Sequence, residues 1–191
     1  MKVLLTGFEP FGGEKINPSW LSVKALPDSL ETIEIKKLLL PVAFKRAADI
    51  AIREAEAYGA DAVLSIGQAK GRSSVTPEMV GINLRYASLP DNDGNAPLDE
   101  PIVLHGPNAY SATANARKMA SAIQAAGIPG QVSLSAGAYV CNDLFFSLLH
   151  HFDKTCVKVG FIHVPLIPKQ GEPSLPLPDL ITALKAAVLA I

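Results

Sequence analysis

Cysteine is nearly absent from this chain: two residues, Cys141 and Cys156, in 191. That is too few for a disulfide framework, and a chain of this length with 49% hydrophobic residues can bury a core without one. An excess of either charge is missing as well. The 17 Lys and Arg oppose 18 Asp and Glu, for a net charge of -1, which supplies no basic field for nucleic acid and no polybasic patch for a membrane surface. No stretch approaches the roughly 20 uninterrupted apolar residues of a spanning helix. The apolar run at the N-terminus meets Glu9 and Pro10 before it could serve as a secretory signal. Metal motifs are lacking: there is no C-x-x-C and no H-E-x-x-H, and the four His are scattered. The run Gly-Phe-Glu-Pro-Phe-Gly-Gly from Gly7 fits neither the dinucleotide-binding nor the phosphate-loop pattern. The expectation is a soluble, unexported protein in which either cysteine is free to be a reactive thiol.

What is there is an alternation of short apolar runs with longer amphipathic ones, the pattern of an α/β domain whose helices cover a largely parallel sheet. Strands are expected at 2–6, 32–40, 62–66, 132–135 and 157–164. Helices are expected at 18–26, where Asn17 and Pro18 make a cap and first-turn pair, and at 44–58, where Gly59 is placed to end the helix. Three more are expected at 111–126, stopped by Gly127, at 140–152, and at 180–191 with Asp179 as cap. Between 67 and 108, Gly, Pro, Asp and Asn break every period. A connection this long inside a compact domain is usually functional. No repeat and no linker divides the chain, so residues 1–191 are expected to form one domain.

Three residues stand out chemically. Cys141 follows a small-residue turn and falls at the expected start of a helix, where unpaired N–H groups stabilise a thiolate. The same position also suits a small buried hydrophobe. His163, in Gly-Phe-Ile-His-Val-Pro, ends the last strand. Ligands collect outside the carboxyl ends of parallel strands, where a His can act as a base or simply be a satisfied strand residue. Glu78 follows Pro77 and is the best-placed acid of the irregular stretch to orient an imidazole, although a charge beside a Pro turn is ordinarily just solvated. Phe8 and Phe11 are odd for a solvent loop unless they line a pocket or tuck into the core.

Taken in order, LLTGFEPFGGEKINPSW, SIGQAKGRSSVTPEMVGIN, LPDNDGNAPLDEPI, AGIPGQVSLSAGAYVCN, GFIHVPLIPKQ and PSLPLPDLITAL closely resemble pyroglutamyl peptidase I, also called pyrrolidone-carboxylate peptidase, from Met1 to about Ile191. The resemblance implies an α/β/α sandwich and a cytoplasmic cysteine peptidase, often homotetrameric, that needs no metal or organic cofactor. It implies substrates with an N-terminal pyroglutamate and a catalytic set of Glu78, Cys141 and His163. The lactam pocket would involve Phe8, Phe11, Val42, Gln68, Leu89, Tyr139 and Val140, with backbone groups at Gln68 on the lactam amide. Two alternatives are a relative that binds pyroglutamyl termini without cutting them and one that hydrolyses a related lactam or acyl substrate.

The chain departs from the family pattern at named places. Where relatives read Asp-Asp-Ala-Arg, it has Arg85, Tyr86, Ala87 and Ser88, so an Arg near the expected oxyanion site is Ser88. Either the enzyme is slower for want of that donor, or Arg85, three residues earlier, reaches back to fill the role. Asp143 stands where His commonly follows Cys-Asn, Met79 where Arg follows the Glu, and Lys70 where Gly precedes Gly-Arg. An Asp this close to a thiol is expected to raise its pKa. Cys156, at the start of an apolar strand, is expected to be inert through desolvation.

Overall fold

The computed structural model describes residues 1–191. Four largely apolar runs become the parallel centre of a six-stranded sheet: β1 (Lys2–Phe8), β3 (Ile33–Leu40), β4 (Ala62–Gln68) and β8 (Lys158–Val164). The short β2 (Ser29–Leu30) and β5 (Thr76–Pro77) close its edges antiparallel, in the order β2-β3-β1-β4-β8-β5. Strands β1, β4 and β8 are buried on both faces almost throughout, as covered parallel strands must be.

Alternate residues of these strands feed two apolar cores. Val3, Leu5, Leu64, Ile66, Ile162 and Val164 face α1 (Pro18–Ala25), α3 (Ala116–Ala125) and α5 (Leu177–Leu189). Leu4, Phe8, Val63, Val159 and Phe161 face α2 (Arg46–Tyr58) and α4 (Val140–His151). The architecture is therefore an α/β/α sandwich. Each fully buried Leu or Phe contributes about 1.5–3 kcal/mol, which outweighs the weak intrinsic preferences of these short segments. In α2 the small residues Ala47, Ala48, Ala51 and Ala55 fall on the sheet side, and Gly59 ends the helix in the left-handed region at φ 64°.

Several sequence expectations shift. Residues 132–135 do not form a strand; Ser133 makes one bridge to Glu78, and Ser133 and Ser135 turn the chain through their own side-chain bonds. The strand beside β8 at that edge of the sheet is β5. The helix expected from 111 begins at Ala116, where Asn115 accepts from the Lys118 amide; Ala109–Ser111 instead forms β7, paired with β6 (Val80–Ile82) in a separate ribbon. The last helix begins at Leu177 because Pro178 is tolerated in a first turn, so Asp179 lies inside that turn rather than capping it.

Candidate active site

The carboxyl ends of the central strands set out the site. His163 on β8 is paired in register with Gly67 on β4 and with Thr76 on β5, while Phe8 ends β1 beside Leu40 of β3. Against this row α4 presents its first turn, with Tyr139 as N-cap and Cys141 one residue past the first helical position. A β-carbon built on Gly67 would lie 2.9 Å from the Cys141 Sγ and 2.8 Å from the Phe161 ring. The sulfur thus occupies the space of the missing side chain, on the strand residue that pairs with His163. The Phe161 and His163 rings lie 4.9 Å apart on that same face. Only glycine lets the helix start come this close. Gly67→Ala should therefore displace the sulfur and lower turnover on the order of a hundredfold. Parental turnover in that variant would show that the packing around the sulfur yields without cost.

Glu78 follows β5 directly, bridged to Ser133, and is fully buried. Its Oε1 lies 2.7 Å from His163 Nδ1 and accepts from Arg72 Nη1, also at 2.7 Å. A carboxylate can only accept, which places the proton on Nδ1 and leaves Nε2 with its lone pair. Glu78 Oε2 is buried without a partner. Arg72 also donates to the Thr76 hydroxyl, and its Nη2 to the Ser135 carbonyl at 3.2 Å. The Gly-Arg pair of the family pattern contains Arg72 but does not say what it binds: its partners are spread over the sheet edge and the turn before α4. Gly67 is equally silent as a motif, since its need for glycine comes from a residue 74 positions later.

Burial works against the thiolate that a helix start favours. Burial pushes the Cys141 thiol up to about 12, reinforced by the Glu78 charge and opposed by Arg72 and by the residue's own backbone N–H. Burial likewise lowers His163 against the pull of Glu78, and Arg72 lowers it further. Burial alone would raise Glu78, but the hydrogen bond and charge of His163, with Arg72 behind, hold its carboxyl below the usual value. The resting set is a neutral thiol, a neutral imidazole and a carboxylate.

A narrow cleft of about 20 Å³ opens beside the sulfur, lined by Phe8, Phe11, Val42, Gln68, Tyr139 and Val140 with Cys141 and Asn17. Asn17, expected only as a helix cap, caps α1 and also lines this cleft. Leu89 does not line it and stays 45% exposed. The irregular segment clamps the cleft walls: Tyr139 Oη donates to Pro90 O at 3.2 Å and the Phe44 amide to Asp91 at 2.8 Å. Asn92 binds both Glu9 Oε1 and the Pro10 carbonyl, and Glu9 Oε1 also accepts from the Val42 amide. A larger cleft of about 280 Å³ lies at Phe44, Lys45, Arg85 and Glu100 and includes none of Glu78, Cys141 and His163.

Three expectations about the neighbourhood need correction. Arg85 does not reach back toward the site of the missing arginine: its Nε donates to Asp143 Oδ1 at 2.6 Å in a buried ion pair, and Ser88 is exposed. Asp143 faces Arg85 and the Lys45 amide, 2.7 Å away, and the carboxylate that raises the thiol is Glu78. Cys156 is exposed rather than desolvated, because β8 begins two residues later. Met79 is half-buried against one core and Lys70 is exposed in a turn.

Comparison with known proteins agrees with this architecture. The sequence model of one family, pyroglutamyl peptidase, matches residues 1–191. The chain is 43% identical over 198 residues to the pyrrolidone-carboxylate peptidase of Streptococcus pyogenes serotype M3 (strain SSI-1), covering 100% of this chain and 92% of that one. The crystal structure of pyroglutamyl peptidase I from Bacillus amyloliquefaciens superposes with a TM-score of 0.96 at 40% identity, over 99% of this chain and 95% of that one. A single-residue variant of the pyrrolidone carboxyl peptidase from the hyperthermophile Pyrococcus furiosus gives 0.95 at 37% identity, over 100% and 97%. With one family matched along the whole length and the same sandwich found in its solved members, the chain belongs to the pyroglutamyl peptidase family.

Proposed function

We propose that this chain is a cysteine peptidase that removes an N-terminal pyroglutamyl residue from peptides, with Cys141 as nucleophile, His163 as general base and Glu78 as the acid that orients it. The observation that carries the reading is the Glu78 Oε1 to His163 Nδ1 contact of 2.7 Å on the strand residue paired with Gly67, over which the Cys141 sulfur sits. The lactam is flat and uncharged, so an apolar cleft with a few fixed hydrogen-bonding groups suits it. Phe8, Phe11, Val42, Tyr139 and Val140 supply the apolar walls. The Gln68 side chain is taken by Gln170, which leaves its backbone for the lactam amide. The cleft has room for about one water, so the ring enters as the Phe11 or Tyr139 wall gives way.

His163 Nε2 takes the thiol proton as Sγ attacks the carbonyl carbon joining pyroglutamate to the next residue. Backbone N–H groups of the first turn of α4, including that of Cys141, meet the oxyanion. The imidazolium, stabilised by Glu78, then gives the proton to the leaving amine. Water attacks the thioester through the same base and releases pyroglutamate.

Turnover of a pyroglutamyl aminocoumarin amide tests the reading, and release of the fluorophore is expected from the wild-type chain and not from Cys141→Ala. The reaction needs His163 neutral, and its pKa is held below the ordinary 6.5. The acid limb of kcat/KM is thus expected below that value. No release from pyroglutamyl substrates, with cleavage of another acyl amide, would favour the shifted-hydrolase alternative. The family relation also supports a single-domain, cytoplasmic enzyme assembled as a homotetramer, and no helix is long and apolar enough to cross a membrane. Sedimentation velocity reads the subunit count, and a monomer at assay concentration overturns the tetramer.

A further inference from the structure

We propose that Arg72 is a positioning residue of this site: it locks the Glu78 carboxylate onto His163 and ties that pair to the turn that delivers Cys141. The inference rests on the catalytic reading above.

The guanidinium touches both arms of the site. Its Nη1 binds Glu78 Oε1, the same oxygen that holds His163 Nδ1, and the Thr76 hydroxyl; its Nη2 binds the carbonyl of Ser135, six residues before Cys141. Thr76 in turn pairs with His163 across β5 and β8. Oε2 has no hydrogen-bond partner, so Oε1, shared by Arg72 and His163, carries the firm contacts of the carboxylate, with Ser133 beside it. Remove Arg72, and the plane of the acid is left to His163 and Ser133. A planar fork spans these acceptors together, whereas an ammonium is a point charge on a flexible stem.

Charge adds a second effect. The charged groups bearing on the imidazole are Glu78 after β5 and Arg72 between β4 and β5, with the Cys141 thiol of α4 over the paired Gly67. Glu78 favours the imidazolium, and Arg72 opposes it. Loss of the cation therefore raises the pH below which His163 is protonated and idle.

Turnover of the pyroglutamyl aminocoumarin amide, with full pH profiles, is to be measured for the parent, Arg72→Gln and Arg72→Lys, with thermal melts and near-ultraviolet circular dichroism alongside. Arg72→Gln should lose kcat on the order of a hundredfold, the cost of about an ångström of misplacement, with KM little changed and the acid limb moved to higher pH. Arg72→Lys should lose kcat less and keep the parental acid limb. Parental kcat and pH profile in Arg72→Gln would overturn the inference alone. So would activity lost in step with the melt while the acid limb of the residual rate stays put, since that is a purely structural role. A parent that does not cleave the amide overturns the catalytic reading, and this inference falls with it.

Discussion

Cys141→Ala is expected to abolish turnover of a pyroglutamyl amide, by about a thousandfold or more, while Cys156→Ala retains it. The two thiols differ in what surrounds them. Cys141 sits over Gly67 at the start of α4, beside the strand that carries His163, whereas Cys156 is exposed in the turn before β8. Exposure makes Cys156 the easier thiol for an alkylating reagent to reach, so labelling by itself does not identify the nucleophile. Loss of activity should track modification of Cys141, read by peptide mapping. His163→Ala should resemble Cys141→Ala, because a neutral thiol with its pKa pushed up to about 12 cannot attack without a base. Glu78→Gln should cost less, since it keeps the shape and part of the orientation. Substantial turnover in Cys141→Ala, or activity that follows Cys156 instead, would remove Cys141 from the mechanism.

Arg85→Ala should cost stability, about 3–5 kcal/mol, rather than a transition-state donor. The Asp143 side chain is fully buried, and its partners are the Arg85 Nε at 2.6 Å and the Lys45 amide at 2.7 Å. Deleting the guanidinium leaves a buried carboxylate without its side-chain partner, with only the Lys45 amide and charge to oppose burial. Burial already raises the Asp143 pKa against the pull of Arg85, and without Arg85 it rises further. The sign follows: a raised folded pKa means stability that is present at low pH and lost as pH rises through it. Urea denaturation of Arg85→Ala should accordingly show a large deficit at neutral pH that shrinks on acidification. A paired replacement of Arg85 and Asp143 by apolar residues of similar size should recover most of the loss. A deficit under about 1 kcal/mol at neutral pH would mean that the pair is not the anchor described here.

The same pair accounts for two departures from the family pattern that look separate along the chain. Arg85 and Asp143 are 58 residues apart, yet each is the other's counter-ion. Read along the chain, the first suggests a replacement oxyanion donor and the second an unfavourable charge near the thiol. Only their contact shows that neither is free to act so.

The sequence by itself determined the features that depend on near neighbours. Buried aliphatic runs marked β1, β4 and β8 and a mixed apolar run marked β3; Asn17 with Pro18 marked the start of α1, and Gly59 the end of α2. Cys141 at a helix start and His163 at a strand end are likewise local facts, and family resemblance joined them to Glu78. Tertiary structure decided what depends on residues brought together across the chain. The two- and three-residue strands β5, β6 and β7 carry no period of their own and exist because distant partners accept their hydrogen bonds. Gly67 must be glycine because the Cys141 sulfur fills its side-chain space. Arg72 matters through acceptors directly after β5 and in the turn before α4. The protonation of the site was also beyond a local reading: a helix start predicts a thiolate, but the desolvation that outweighs it comes from the sheet and side chains packed over the sulfur, and burial of that kind is set by the whole fold.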